Sequence, residues 1–247
     1  MWWLVFVVSL FIGSFLNVCI YRIPRGESVV FPPSACPACG RRLRPVELIP
    51  VLSYFLQSGR CRGCGSAVSW RYPAVEFLTA LVFTALFLRF GWPDFFFQAV
   101  FYAVLLVIFF IDLEHQIIPN RLVLILFGYA LLLRFVSPAV PWATSLWGGL
   151  LGGGLFFFLA VVSRGGMGGG DIKLVTVLGF WFGWGHLLLL LFLAFLTGGL
   201  LGGLLLLLRI KNRKDGIPFG PFLVLAAFVV TVWGENILGW YLRLSGI

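Results

Sequence analysis

Long apolar runs separated by short polar connections set the pattern of this chain. Residues 1–21 carry no charge, and a polar stretch then runs from Arg22 to about Pro73. Apolar runs resume at about 74–90, 95–111, 121–136 and 145–163. The stretch 174–208 is uncharged apart from the titratable His186, and 217–239 is broken only by Glu235. These runs are unbroken rather than alternating, which argues against a porin-type barrel. A helix needs about 20 apolar residues to cross a hydrocarbon core about 30 Å thick. The pattern predicts an all-α polytopic membrane protein.

The stretch 174–208 is too long for one crossing. As a single helix it would measure about 52 Å. Gly183-Trp184-Gly185-His186 offers a break. With that break there are about eight transmembrane helices, and the loops 22–73, 112–121, 164–173 and 209–216 fall on one side. Those loops hold 15 of the 18 basic residues, leaving Arg89, Arg134 and Arg243 for the other. Such asymmetry is what positive-inside topology requires, so the basic loops are placed in the cytoplasm. The first helix has its basic residues, Arg22 and Arg25, after the apolar run rather than before it. A signal peptide has the reverse order. The N-terminus is therefore expected outside and the first helix uncleaved.

Composition agrees. The chain of 247 residues is 61% hydrophobic and 11% charged, with a net charge of +9. Nine acidic residues cannot coat a soluble surface. In a soluble protein +9 would suggest nucleic acid; here topology explains it and no nucleic-acid partner is expected. Three regions follow: a first transmembrane helix at 1–21, a cytoplasmic loop at 22–73 and a helix bundle at 74–247.

The loop holds all but one of the five cysteines. Cys36-Pro-Ala-Cys39-Gly and Cys61-Arg-Gly-Cys64-Gly are two C-x-x-C-G turns separated by 21 residues. Each glycine lets the chain curl and turn backbone N–H groups toward sulfur. Two such turns make a tetrahedral four-sulfur site that suits structural Zn²⁺. Two disulfides or idle thiols are the alternatives, and disulfides are disfavoured in a reducing cytoplasm. Four thiolates close the coordination shell, so the metal would stabilise a small loop that lacks a sizeable core. Cys19 reads as an apolar filler in the first helix.

Acidic residues near a bilayer need a reason in a chain this poor in them. Asp112 directly follows the run 95–111, and Asp171 ends Gly165-Gly-Met-Gly168-Gly-Gly170-Asp171. Both fall on the cytoplasmic side. Two carboxylates brought together share a proton; one can then act as base toward water while the other donates to a carbonyl oxygen. Glycines 168 and 170 would let an extended substrate backbone approach. Pro119 is expected to stop or kink the helix after Asp112. Interface-capping acids, with Asp171 as an N-cap, are the competing reading.

Other residues carry weaker signals. Glu76 reads as a helix-dipole partner or part of a ligand pocket, and Glu47 as a solvated acid or a contact for a cationic ligand. His115 and His186 lie in no ligand pattern. Lys173 reads as an interface residue that could also act on Asp171. The run Arg209-Ile-Lys211-Asn-Arg213-Lys214 reads as a headgroup anchor. Gly198-Gly199 and Gly202-Gly203 fit close helix packing.

Taken together these motifs resemble the bacterial type IV prepilin peptidases, bifunctional leader peptidase/N-methyltransferases of pilus assembly and type II secretion. The resemblance rests on Gly13-Ser-Phe-Leu-Asn17, Tyr21-Arg22-Ile-Pro24, both cysteine turns, Arg71-Tyr-Pro-x-x-Glu76, Asp112 through Ile118-Pro119, Gly168-x-Gly170-Asp171 and Ile217-Pro-Phe-Gly-Pro221. It implies a G-x-G-D membrane aspartic protease with Asp112 and Asp171 as the catalytic pair. It implies prepilin or pseudopilin substrates, cut after a glycine at the cytoplasmic face of the inner membrane. It also implies N-methylation of the new terminus from S-adenosylmethionine, whose binding residues the sequence leaves unassigned, as it does the oligomeric state. The cysteine loop is a hallmark of the bifunctional members. A peptidase without methyltransferase activity and a non-enzymatic scaffold docking through the zinc loop are the rival readings. Because leader and cytoplasmic face are both basic, recruitment falls to local acids such as Glu114, Glu47 or Glu76, or to anionic lipid.

Overall fold

The computed structural model of the chain describes residues 1–136, 140–163, 166–208, 210 and 216–244. Gly165 and the basic residues Arg164, Arg209, Lys211, Arg213 and Lys214 lie outside them. In chain order the helices are α1 (Trp2–Arg22), α2 (Leu52–Leu56), α3 (Arg71–Phe90), α4 (Asp94–His115), α5 (Asn120–Val136), α6 (Trp142–Val162), α7 (Gly169–Leu207) and α8 (Gly220–Leu244). Among the described residues extended pairing is limited to two isolated antiparallel bridges. Six helices, α1, α3, α4, α6, α7 and α8, are long and apolar enough to cross a membrane. Their outward surface is apolar too: Trp147, Phe157 and Phe192 are exposed. Lipid, not water, is the solvent that such a surface fits.

The chain forms two compact units, Met1–Val107 and Ile108–Ile247, and α4 begins in the first and ends in the second. In the first unit α1 and α3 pack antiparallel. They touch at Gly13, where a Cβ would stand 2.6 Å from the Cα of Glu76. Asn17 Nδ2 donates to the Tyr72 carbonyl at 3.0 Å. The connection between them is tied down by buried charged groups. Arg22 donates to the carbonyls of Ser28 (2.9 Å) and Pro32 (2.7 Å). Glu76 accepts the Val51 N–H at 2.7 Å, so this carboxylate anchors the loop to α3.

In the second unit α7 breaks where the sequence predicted. Gly183 has φ 75° and ψ 168°, a backbone state that essentially only glycine adopts. Gly152 of α6 faces both Val175 and Leu187, its Cβ position lying 2.9 and 3.1 Å from them. Twelve residues apart on a straight helix, those two would be about 18 Å apart. The chain therefore bends back acutely at Gly183. The last carbonyls before the break lose their helical partners. Arg134, buried, supplies them: its guanidinium donates to the carbonyls of Phe180 (3.2 Å) and Trp181 (2.5 Å). A cation at the C-terminal end of a helix also complements its dipole. At the same crossing Gly148 and Gly179 bring α6 and α7 into backbone contact, a Cβ on either standing 2.2 Å from the other's carbonyl oxygen.

Two sequence expectations need correction. Pro119 does not stop α4, which ends at His115; it precedes α5, where its missing N–H costs nothing and its carbonyl accepts from Leu122 and Val123. Of the paired glycines late in α7, Gly198 and Gly202 pack on α8-side residues, but Gly199 and Gly203 face open space.

Candidate functional site

Asp112 ends the apolar run of α4 and is 4% exposed. The helix closes three residues later, where Gln116 takes a φ of 55° and its side chain donates to the Gly216 carbonyl at 3.0 Å. That bond brings the approach to α8 beside the end of α4. α8 starts at Gly220, whose N–H donates to Asp112 Oδ2 at 3.0 Å. The first N–H groups of a helix have no internal partner, and its positive end favours an anion. The Asp112 carboxylate fills that place. Pro221 follows at the first turn, where no N–H is needed. A Cβ at Gly220 would sit 2.6 Å from Asp112 Oδ2 and 3.3 Å from Ile118 Cδ1, so only glycine permits the approach.

Asp171 arrives from a different element. Gly168 is extended (φ −69°, ψ 139°) and caps α7, which puts Asp171 in the first turn. Asp171 is thus inside the helix, and its carboxylate accepts a hydrogen bond from the Gly168 N–H at the helix start. Gly170 packs on the same Ile118, its Cβ position 2.8 Å from that residue's Cβ. Ile118 therefore touches the starts of both α7 and α8. Through it the two carboxylates are brought together, near enough that the charge of Asp112 acts on Asp171. Among the described residues the buried Asp171 Oδ1 has no hydrogen-bond partner. A buried oxygen of this kind calls for a further donor. Lys173 donates instead to Asn120 Oδ1 at 2.9 Å, joining α7 to the start of α5.

The first unit holds a separate cluster. The sulfurs of Cys36, Cys39, Cys61 and Cys64 all lie within 4.8 Å of one another, and Cys36 and Cys64 are 3.9 Å apart. A tetrahedral metal with sulfur at about 2.3 Å has sulfur–sulfur edges of about 3.8 Å. All the cysteines are free thiols. Each turn folds alike: Cys36 N–H donates to Arg41 and Gly40 N–H to Cys36, as Cys61 N–H does to Ser66 and Gly65 N–H to Cys61. Gly40 and Gly65 both have positive φ, which closes each turn. Backbone N–H groups of Cys39 and Ala38 lower the Cys36 thiol to about 6. The Arg41 backbone also draws on Cys39, but burial and the sulfurs of Cys64 and Cys36 push it up to about 11. Thiols this crowded do not all ionise alone, and a soft divalent cation is what would let them.

Residues 7–90 match the Bacterial Peptidase A24 N-terminal domain, and residues 99–203 match the Type IV leader peptidase family. A "Prepilin leader peptidase/N-methyltransferase" of Bacillus subtilis (strain 168) is 35% identical over 246 residues, covering 98% of each chain. The protein of that name from Aeromonas salmonicida (strain A449) is 37% identical over 271 residues, covering 97% of this chain and 93% of its own. The chain belongs to the type IV leader peptidase family. A third relative of the same name, from Pseudomonas aeruginosa, is 34% identical over 272 residues, with coverages of 97% and 93%. No solved structure matches significantly.

For this leader peptidase family member, the structure brings together the two aspartates and Gly170, with Gly168 against Asp171 Oδ2. It also gathers the four cysteines. It adds three residues to which the sequence pattern assigned no role. Gly220 and Ile118 build the aspartate site; both lay within quoted motifs, Ile217-Pro-Phe-Gly-Pro221 and Ile118-Pro119, and the Gly-Pro step was the signal for a helix start. Arg41 spans the two cysteine turns, lying against Gly63 and donating to Glu47 at 2.6 Å. Glu47 is buried and also accepts the Arg44 N–H at 2.8 Å, so it is a structural acid of the loop and not a solvated one.

Proposed function

We propose that this chain removes the basic leader of type IV prepilins and pseudopilins with Asp112 and Asp171 as catalytic pair, and then methylates the new terminal amine. The observation that carries the reading is the meeting of three helix ends around Ile118, with Asp112 held by the Gly220 N–H and the buried Asp171 Oδ1 without a partner among the described residues. Relatives of matching length bear both activities in their name. One aspartate takes a proton from water as the water oxygen bonds to the scissile carbonyl carbon. The other gives its proton to the carbonyl oxygen. Collapse of the tetrahedral species breaks the C–N bond, and the amine leaves with a proton from the pair. Gly168, extended and without a side chain beside Asp171, is the place where a substrate backbone lies down.

The region 22–73 is the zinc loop, holding one structural Zn²⁺ on Cys36, Cys39, Cys61 and Cys64, and 74–247 is the peptidase bundle. S-adenosylmethionine is the methyl-donating substrate. The bend at Gly183 and the 17 residues of α5, about 26 Å long, support eight crossings in place of six. On that count the N-terminus is outside, and the aspartates and zinc loop face the cytoplasm from the inner membrane. Glu114, exposed and two residues past Asp112, is the acid that meets a basic leader.

Two tests belong here. Gly220→Ala places a methyl group where Asp112 Oδ2 lies; displacement of a reacting group by about 1 Å costs about 10²-fold in rate. Cleavage by the variant should fall by that order, with expression and melting temperature close to the parent. Unchanged cleavage would remove Gly220 from the site. Metal analysis of protein purified without chelator should give one zinc per chain, with no disulfide among the four cysteines by mass mapping. Absence of zinc, or mapped disulfides, would refute the metal assignment.

A further inference from the structure

The zinc loop carries an apolar surface that the other described residues of the first unit leave exposed. On the short helix α2, Leu52, Phe55 and Leu56 stand at i, i+3 and i+4, on one face, and Phe55 and Leu56 are each 68% exposed. Trp70, 72% exposed, sits one residue before α3. Exposed apolar groups at this density mark a contact surface.

The position of α2 indicates its partner. Val51 immediately precedes α2, and its N–H is bonded to Glu76, the sixth residue of α3. A sixth residue lies about 7.5 Å along the helix. The start of α2 is therefore held level with the first turns of a membrane-crossing helix, below its end rather than out in solution. Asn17 of α1 donates to Tyr72 at the same level, so the second crossing helix fixes it too. Tryptophan at a span end is itself an interface residue. Charge agrees. Arg25, Arg42, Arg44, Arg60 and Arg62 are exposed in the loop, whereas its acids are Glu27 and the buried, Arg41-paired Glu47.

We infer that α2 and its flanking arginines lie in the headgroup layer of the protein's own bilayer. The Leu52/Phe55/Leu56 face enters the acyl boundary, and the arginines meet anionic lipid. The surface serves as a monotopic foot that presses the zinc loop onto the membrane. This follows from the crossing of α1 and α3 and is independent of the peptidase assignment.

The test places p-cyanophenylalanine at position 55 of the full chain in nanodiscs, each holding one copy. Fluorescence is read against two quenchers: a lipid with a doxyl group high on its acyl chain, and aqueous iodide. Quenching at least twofold stronger by the doxyl lipid than by iodide is expected, and stronger still when phosphatidylglycerol replaces phosphatidylcholine. Leu52→Ser/Leu56→Ser in the same labelled chain should shift the ratio toward iodide at an unchanged zinc content. Quenching mainly by iodide would put α2 in water and overturn the inference. Quenching by neither would mean that protein covers the face, and would overturn it equally.

Discussion

Asp112→Asn and Asp171→Asn are each expected to reduce leader cleavage by about 10²–10⁴-fold, the contribution of a positioned acid or base. Neither change alters side-chain volume appreciably. An asparagine in place of Asp112 keeps an oxygen that can accept the Gly220 N–H, so the start of α8 should stay docked on the end of α4. The Asp171 carboxylate accepts the Gly168 N–H at the start of α7, a bond that an asparagine oxygen can also accept. Both variants should therefore melt close to the parent. On the proposed mechanism each would lose the shared proton, since an amide can neither take a proton from water nor give one to a carbonyl oxygen. Cleavage rates on the purified variants, with melting temperatures beside them, decide the matter. Substantial activity in either would dissolve the pair.

Cys61→Ser should separate the two activities. Cys61 is buried, and its backbone closes the second turn through Ser66 and Gly65. Its loss leaves three sulfurs, and structural zinc supplies about 10–16 kcal/mol of apparent binding energy in small zinc modules. Losing one ligand of four should then cost the loop roughly 3 kcal/mol or more and reduce the bound zinc well below one per chain. The aspartates, Ile118 and Gly220 belong to the other compact unit, and their mutual contacts do not involve the loop. If the loop builds the pocket for the methyl donor or the amine, methyl transfer falls far more than cleavage. Equal losses of both rates at an unchanged melting temperature would contradict that division of labour.

The parts legible in the sequence were those set by local rules. Long apolar runs gave the long helices within a few residues of their observed ends, whereas the short α2 lay in the polar stretch. Cysteine spacing gave a cluster that the structure draws within 4.8 Å. The bend in α7 was visible because Gly183 stands in a run too long for the bilayer, although its partner Arg134 was not. Arg134 is 46 residues from Phe180 in sequence, and no local rule pairs them. The same holds at the aspartates. A residue 108 positions away donates to Asp112, and that partner is a backbone N–H, which every residue but proline carries. Glu76 and Glu47 were legible as unusual acids, but their partners, Val51 N–H and Arg41, depend on how the loop folds back.

The most direct test is mass analysis of a type IV prepilin incubated with the purified protein, with and without S-adenosylmethionine. Without the donor, the product should be the prepilin shortened by its leader at the glycine. With it, the same product should be heavier by one methyl group on the terminal amine, and Asp171→Asn in parallel should leave the prepilin intact. Prepilin left uncut by the folded parent, or cut equally by the Asp171→Asn variant, would contradict catalysis by the aspartate pair.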